Sequence, residues 1–456
     1  MKMKPGPLVY DDGKFYKEIL LFALPVALQG MITDGINLTD TLMIGSLGEL
    51  QLSAASLATQ FVNTYRSFSM GLSMGASVLA SRFWGMQDMG SLKKVIAIMY
   101  RLSLVLAAVF GLLTFSFPGV IMRLYTAQPQ VIRYGTEYLK YCTLAYFFNG
   151  LSITTTVILR SIRKVRLALY VSIAGFFINI AANYIFMFGK LGAPAMGLSG
   201  AAFSTLLVRI YECSVICGYL LLAENKLRFR VRDLFARTGG LVREYVHFGL
   251  PVLISDILLS FGENVVMMVI GRLGTAFVAA NAIVSVISRL TGNLIQGVSQ
   301  ASSVMVGNTL GRGQIREAER QGWAFLGIGI LLGTLSAAII LLITEPVVGM
   351  YRLTEETAAI TRHLMYAVSL IMIFQASNMI LTKGALRGGG DTKVLVAADN
   401  LFLWISSIPL GLLAGFVWHA PVFWIYICLR MDNILKTIWC IWRLKSRRWI
   451  KAIRTV

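Results

Sequence analysis

The sequence predicts an all-α membrane protein of twelve transmembrane helices in two pseudo-symmetric six-helix lobes. Three observations predict it. Apolar runs of about 20 residues, enough to cross a hydrocarbon core of roughly 30 Å, recur along the whole chain. Basic residues alternate between the connecting segments. The first half of the chain also returns in register in the second. The composition agrees: 56% of the 456 residues are hydrophobic and 14% charged, outside the usual make-up of a soluble domain.

The spans are expected at 17–45, 53–82, 92–117, 132–158, 166–189 and 196–222, then at 244–271, 276–307, 318–343, 357–384, 393–417 and 420–443. A soluble core helix would carry a polar stripe, and most of these runs do not. The N-terminal stretch MKMKPGPLVYDDGKFYKE is polar, and the apolar run after it is too long for a signal-peptide core. The longest polar interruption, ENKLRFRVRDLFARTGGLVRE, separates the halves. It gives an N-terminal lobe of residues 1–223, a cytoplasmic linker of 224–243 and a C-terminal lobe of 244–456.

A net charge of +20 invites a nucleic-acid partner, but its distribution argues against one. Lys2, Lys4, Lys14 and Lys17, then Arg82, Lys93 and Lys94, then Arg160, Arg163, Lys164 and Arg166 fall on one side of the predicted membrane. The linker arginines, Arg312, Arg316, Arg320, Lys383, Arg387, Lys393 and the tail RLKSRRWIKAIR fall on that side too. The opposite side carries little beyond Arg123, Lys190, Arg272 and Arg352. This is the positive-inside pattern. It predicts a multi-pass protein of the plasma membrane with both termini cytoplasmic and no nucleic-acid partner.

The repeat is readable without gaps. Leu24-Pro25-Val26 returns 226 positions later as Leu250-Pro251-Val252, Leu47-Gly48 as Leu273-Gly274, and GLSMGASV from Gly71 lies over GVSQASSV from Gly297. Each half has an even number of spans, so both enter the membrane in the same orientation, related by an axis along its normal. Gly71, Gly75, Gly85, Gly292, Gly297 and Gly307 suit close helix approach, and Pro25 and Pro251 suit either packing or a bend.

Ionisable residues inside such spans cost several kcal/mol unless they face a bundle interior or water, so they mark functional candidates. Span 1 carries Asp34 and Asp40. At about 1.5 Å per residue, Asp40 lies about five residues below the outer end of its span. Asn183 lies about six, Thr205 roughly nine and Asn179 about ten below theirs. A carboxylate with amide and hydroxyl oxygens in one layer suits a hard cation or a titrating proton, against a purely structural hydrogen-bonding role. Asp34 comes level with Arg66, which offers a salt bridge instead. The second half has Asp256, Glu263, Gln375 and Asn378 as a further polar set, with Arg289 level with Asp256. It also has Asn264, Asp399 and Asp432; for Asp399 a helix-stabilising hydrogen bond competes with a transport role. Arg209 and Glu212 are three apart and read as a local ion pair.

Enzyme signals are missing. LRGGGDTK (Leu386 to Lys393) lacks the G-x-x-x-x-G-K-[ST] of a phosphate cradle, and GIGILLG (Gly327 to Gly333) reads as helix packing. His247, His363 and His419 are isolated from one another, and the five cysteines fall inside apolar runs as small packing residues. No cofactor is expected, no metal beyond sodium as a coupling ion, and without an ATP motif transport must draw on an ion gradient. An integral-membrane enzyme would need a polar loop or a His/Asp cluster at the interface, and none is visible; a receptor or scaffold does not explain intramembrane acids in both halves.

The chain resembles the multidrug and toxic compound extrusion (MATE) antiporters. The resemblance rests on P-x(14)-D-T followed by L-G (Pro25, Asp40, Thr41, Leu47, Gly48), on N-x-x-x-N (Asn179, Asn183) with a downstream G-x-x-G-A-A-x-x-T (Gly197, Gly200, Thr205), and on LRGGGDTK. It covers residues 15 to 450. It implies two six-helix lobes around a central cavity, alternating access, and export of organic, often cationic and amphipathic compounds in exchange for sodium ions or protons. It further implies a cation site in the first lobe, mapping onto Asp40, Asn179, Asn183 and Thr205. Some members carry an aspartate where this chain has Asn183, and the span-10 aspartate of another branch is absent here, with Gln375 and Asn378 in that region. A flippase or exporter of lipid-linked saccharide is the alternative; it would want more basic cavity residues than Arg66, Arg289 and Arg101. Small organic molecules and the bilayer are the expected partners, and the protein is expected to be a monomer.

Overall fold

The computed structural model describes residues 13–350 and 353–451. Lys2, Lys4, Arg352 and the end of the basic tail lie outside the described residues. Among the described residues the chain is helical throughout, with no strand. In hydrocarbon a backbone must satisfy its own polar groups, and a helix does so locally. Ten helical stretches are long and apolar enough to cross a membrane.

In order these are α1 (Gly13–Gly45), α2 (Glu49–Met86), α3 (Met89–Ser116), the short α4 (Pro118–Arg123), α5 (Pro129–Ser161) and α6 (Arg166–Ala182). A π-helical turn, Asn183–Met187, extends α6, and α7 (Leu198–Gly218) follows. The second half opens with α8 (Leu241–Arg272), α9 (Thr275–Gly311), α10 (Ile315–Met350) and α11 (Glu355–Ile380). It continues with α12 (Leu386–Gly388), α13 (Thr392–Phe402), α14 (Ile408–Leu412), α15 (Val422–Leu429) and α16 (Met431–Ser446). Ten of the twelve expected spans fall on the apolar stretches, that of 393–417 running through α13, α14 and the π-helical turns beside them. The last is broken at Arg430, so neither α15 nor α16 is long enough alone, and α2 has too many polar residues to count among the ten.

Contacts divide the chain into two units. One is Leu28–Gly249; the other joins residues 13–27 to the described part of Leu250–Val456. The borders fall beside the repeated prolines, Pro25 and Pro251, inside the continuous helices α1 and α8, rather than in the linker.

In the first unit α5 packs against α2, α3 and α7. Gly150 of α5 leaves room for the Tyr65 hydroxyl, which donates to the Tyr146 carbonyl at 2.6 Å. The linker lies against α3. Arg101 donates to the carbonyls of Leu234 (2.6 Å) and Ala236 (2.8 Å), and Lys93 donates to Arg228 O at 2.8 Å and pairs with Asp233 at 3.3 Å. Arg101 is therefore a clasp on the linker and not a cavity base.

In the other unit α11 is central, packed against α9, α10, α15 and α16. The GIGILLG run explains one of these contacts. A Cβ at Gly329 or Gly333 would come within 2.9 Å of Ser377 Cα or 2.6 Å of Ile373 Cα, so the glycines let two helix backbones touch. Gly297 meets the Ala23 carbonyl in the same way, whereas Gly292 has nothing within 4 Å. LRGGGDTK has a structural job too. Arg443 holds Asp391 at 2.6 and 3.1 Å, Lys451 N donates to Gly389 O at 2.9 Å, and Trp449 fills the space a Gly389 side chain would need.

The repeated Leu-Gly pair also acquires a reason. Gly48 and Gly274 precede α2 and α9 with φ of 128° and 118° and ψ of 168° and 160°, a region open essentially to glycine.

Candidate functional site

The site is built in the unit Leu28–Gly249, on α1, α6 and α7. The π-helical turn begins at Asn183 and displaces the backbone from α-helical register, a feature often found at functional positions. The following loop clamps that turn: Met196 N donates to Phe186 O at 2.9 Å and Gly197 N to Met187 O at 3.2 Å. Gly200 lies against Phe186 and Met187, with no room for a Cβ. The two glycines of the G-x-x-G motif thus hold the turn that carries Asn183.

Asn183 is fully buried and Asn179 is 1% exposed, whereas Asp40 is half-buried. Asn183 donates its amide to the Asp40 carboxylate at 2.6 Å, with a longer contact of 3.4 Å to Asn179 Oδ1. Asn179 is also within hydrogen-bonding reach of Asp40. The Asn183 Oδ1 atom is buried with no donor among the described residues. A carboxylate, an amide that fixes it and an acceptor without a donor form an oxygen set with room for one positive charge. Thr205 is not part of that contact: its hydroxyl donates to Ala201 O of its own helix at 3.1 Å.

The electrostatic surroundings extend beyond the residues expected. Arg209 pairs with Glu212 at 2.7 Å, as its spacing suggested, and also lies in the field of Asp40. Arg66 is surrounded by Arg209, Glu212 and Asp34 together, so it belongs to a group rather than to Asp34 alone. Three carboxylates, Asp34, Asp40 and Glu212, thus face two guanidinium groups, Arg66 and Arg209. In low dielectric each of these charges depends on its neighbours. Sequence reading treated Arg209 as local; its link to Asp40 joins α7 to α1 and leaves no mark in short-range spacing.

The polar set of the second half is not brought together as one cluster. Arg430 holds both oxygens of Glu263, at 2.7 and 2.9 Å. Asn378 donates to Asn433 at 3.3 Å. Gln375 is exposed and Asp256 half-buried, and Arg289 makes no ion pair among the described residues, Asp256 included. Arg430 and Lys436 were missed. A lysine inside the apolar run MDNILKTIWCIW was the available signal, because charge at such depth needs a partner. No group of three or more His, Cys, Asp or Glu able to hold a metal occurs among the described residues.

Comparison with known proteins places these features. The family model described as MatE matches residues 25–185 and 251–413, two segments that begin at the repeated prolines. A probable multidrug resistance protein NorM of Xylella fastidiosa (strain 9a5c) is 26% identical over 462 aligned positions, covering 97% of this chain and 94% of the relative. The multidrug resistance protein MdtK of Yersinia pseudotuberculosis serotype O:1b (strain IP 31758) is 24% identical, with 88% and 87% covered. Among solved structures, an outward-facing MATE family transporter of the MOP superfamily superposes with a TM-score of 0.84 at 18% identity, covering 95% of this chain and 96% of that one. A MOP superfamily transporter from Pyrococcus furiosus Vc1, whose binding pocket is described as reversed in polarity, gives 0.83 at 19%, with 98% and 99% covered.

Proposed function

Because this chain belongs to the MatE family, we propose that it is a secondary-active efflux antiporter, a transporter rather than an enzyme. It exports small organic compounds, often cationic and amphipathic, in exchange for sodium ions or protons. The relatives named multidrug resistance proteins support the substrate class. The observation that carries the coupling mechanism is the Asp40–Asn183 contact of 2.6 Å beside the buried, unsatisfied Asn183 Oδ1, an oxygen set suited to one positive charge.

Asp40 takes that charge. With the site charged, its carboxylate holds a proton or a sodium ion. For sodium, the Asn183 and Asn179 amide oxygens complete a hard-oxygen set; for a proton, the neutral carboxyl needs only the acceptor already beside it. Release leaves an anion in low dielectric, a state offset by Arg209. Rebinding of the ion and extrusion of the compound are then linked through the protonation or ion occupancy of one carboxylate. Asp34 and Arg66 set the local field.

We assign six membrane helices to residues 1–223 and six to 244–456, joined by the cytoplasmic linker 224–243, in a plasma-membrane monomer with both termini cytoplasmic. The ten apolar stretches among the described residues, with α2 and the α15–α16 pair at the other two expected spans, and the in-register repeat support that assignment.

Purified protein in liposomes, given sodium and pH gradients separately while a cationic dye is followed, tests the function. Dye accumulation against its gradient under one of the two is expected. No movement under either gradient across a panel of organic cations contradicts the reading and favours the lipid-linked saccharide exporter.

A further inference from the structure

The second unit contains a charge imbalance of its own, separate from Asp40. Lys436 of α16 is 5% exposed and sits between two buried carboxylates. Its Nζ is 2.9 Å from Asp432 and 3.6 Å from Asp399 of α13. The shorter contact is a charge-assisted hydrogen bond; the longer lies beyond hydrogen-bonding range. Asp432 is well provided for as an anion. It stands in the first turn of α16, where the helix N-terminus favours negative charge, and it accepts from Ser407 at 2.9 Å and from Asn433 at 3.4 Å. Among the described residues Asp399 has only the distant ammonium.

The groups facing Lys436 can be counted across the packed helices. Asp399 comes from α13, Asp432 from α16 itself and Glu263 from α8, while Arg430 joins α15 to α16. Cys440 and Tyr426 also face the cluster. Glu263 is matched by Arg430. One lysine remains for two aspartates, so the cluster lacks one positive charge in a buried place.

A hydrogen-bonded pair adjoins the cluster. Asn378 of α11 is 7% exposed and donates its amide to Asn433 Oδ1, next in the chain to Asp432, while its own Oδ1 is buried with no donor among the described residues. With a proton on Asp432, that carboxyl can donate to the Asn433 oxygen once both amides have turned, so that Asn433 donates to the Asn378 oxygen and Lys436 is released to pair with Asp399. One missing proton accounts for the charge count. A metal cation does not fit: the ammonium already occupies the space between the carboxylates and would repel it at about 3–4 Å.

We propose that Asp399 and Asp432 share one proton around Lys436, forming a second proton-binding site in this unit, distinct from Asp40. In the arrangement seen, Lys436 pairs with Asp432 and the proton sits on Asp399; its transfer to Asp432 moves the ammonium contact across and reverses the Asn433–Asn378 hydrogen bond. The balance is a proton moved between two carboxylates, with no bond to carbon made or broken. This site stands whether or not Asp40 couples transport.

Infrared spectroscopy of the purified wild-type protein near neutral pH, in water and in deuterium oxide, reads a neutral buried carboxyl directly as a band that shifts on deuteration. The expected result is such a band with a component lost in Asp399→Asn and in Asp432→Asn, retained in Asp40→Asn, and strengthened in Lys436→Met. Absence of any neutral-carboxyl band in the wild type overturns the proposal, and that measurement needs no variant to fold. A band that disappears in Asp40→Asn and survives in both Asp399→Asn and Asp432→Asn overturns it as well.

Discussion

Asn183 donates to Asp40 at 2.6 Å, although 142 residues separate them in the chain and they sit on different helices. The contact is made by a residue at the start of a π-helical turn, so the hydrogen bond and the helix defect are one feature. A hydrogen bond to a charged group contributes about 1.5–3 kcal/mol, which is about a tenfold to hundredfold effect on a bound ion.

Replacing Asn183 by Ala therefore lowers the apparent affinity for the coupling ion by about tenfold or more, measured as the ion concentration giving half-maximal dye efflux. Asn183→Asp behaves differently. Two carboxylates at this distance do not both ionise readily, so the pair retains a proton to higher pH. Transport by that variant is expected to persist with its pH profile displaced toward alkaline pH.

Helix contact through glycine gives a paired stability test. Gly333→Val forces a side chain onto Ile373, and overpacking of this kind costs about 1–3 kcal/mol; a drop of several degrees in the melting temperature is expected. Gly292→Val, facing open space, is expected to change it little. Equal effects would contradict the packing role given to GIGILLG.

The Glu263–Arg430 pair is read best by a double-mutant cycle. Glu263 is about half exposed, so Arg430→Met, which leaves that carboxylate without its partner, is expected to cost about 1 kcal/mol of thermal stability. Adding Glu263→Gln should restore part of the loss. Additive losses from the two changes would show that they do not interact.

The linker clasp predicts a pattern of proteolysis. Arg101→Ala removes two hydrogen bonds to the linker, and cleavage between residues 224 and 240 should accelerate by about tenfold. Partial burial works against the Asp233 charge, but the Arg230 backbone N–H, Lys93 and Arg232 outweigh it and hold the carboxyl below its usual range. A depressed folded-state value means the contribution is fully present above the unfolded value of about 3.9. It is lost as pH falls through the folded value. Protection of the linker should thus be flat from about pH 8 to about pH 5 and fall only in stronger acid.

Much of the fold was legible because membrane insertion is a local property of composition. Runs around Leu24, Phe176 or Leu331 declare themselves without knowledge of their neighbours. Asp40 and Asn183 were legible for a related reason, since depth along a helix converts directly from residue count. Thr205 shared that depth, yet its hydroxyl turned to its own backbone, because depth fixes level and not direction around the helix. Glu263 with Arg430, and Lys436 with Asp399, depend on how α8, α13 and α16 are rotated, and no short-range pattern records that. Arg101 looked like a cavity charge for the same reason.

The central claim is that the Asp40 carboxylate carries the coupling ion, and Asp40→Asn in liposomes tests it most directly. The substitution removes the charge with almost no change in volume. Uphill, gradient-driven accumulation of a cationic dye is expected to vanish while the purified variant still binds that dye within a few-fold of wild type. Uphill transport at the wild-type rate by Asp40→Asn would contradict the account.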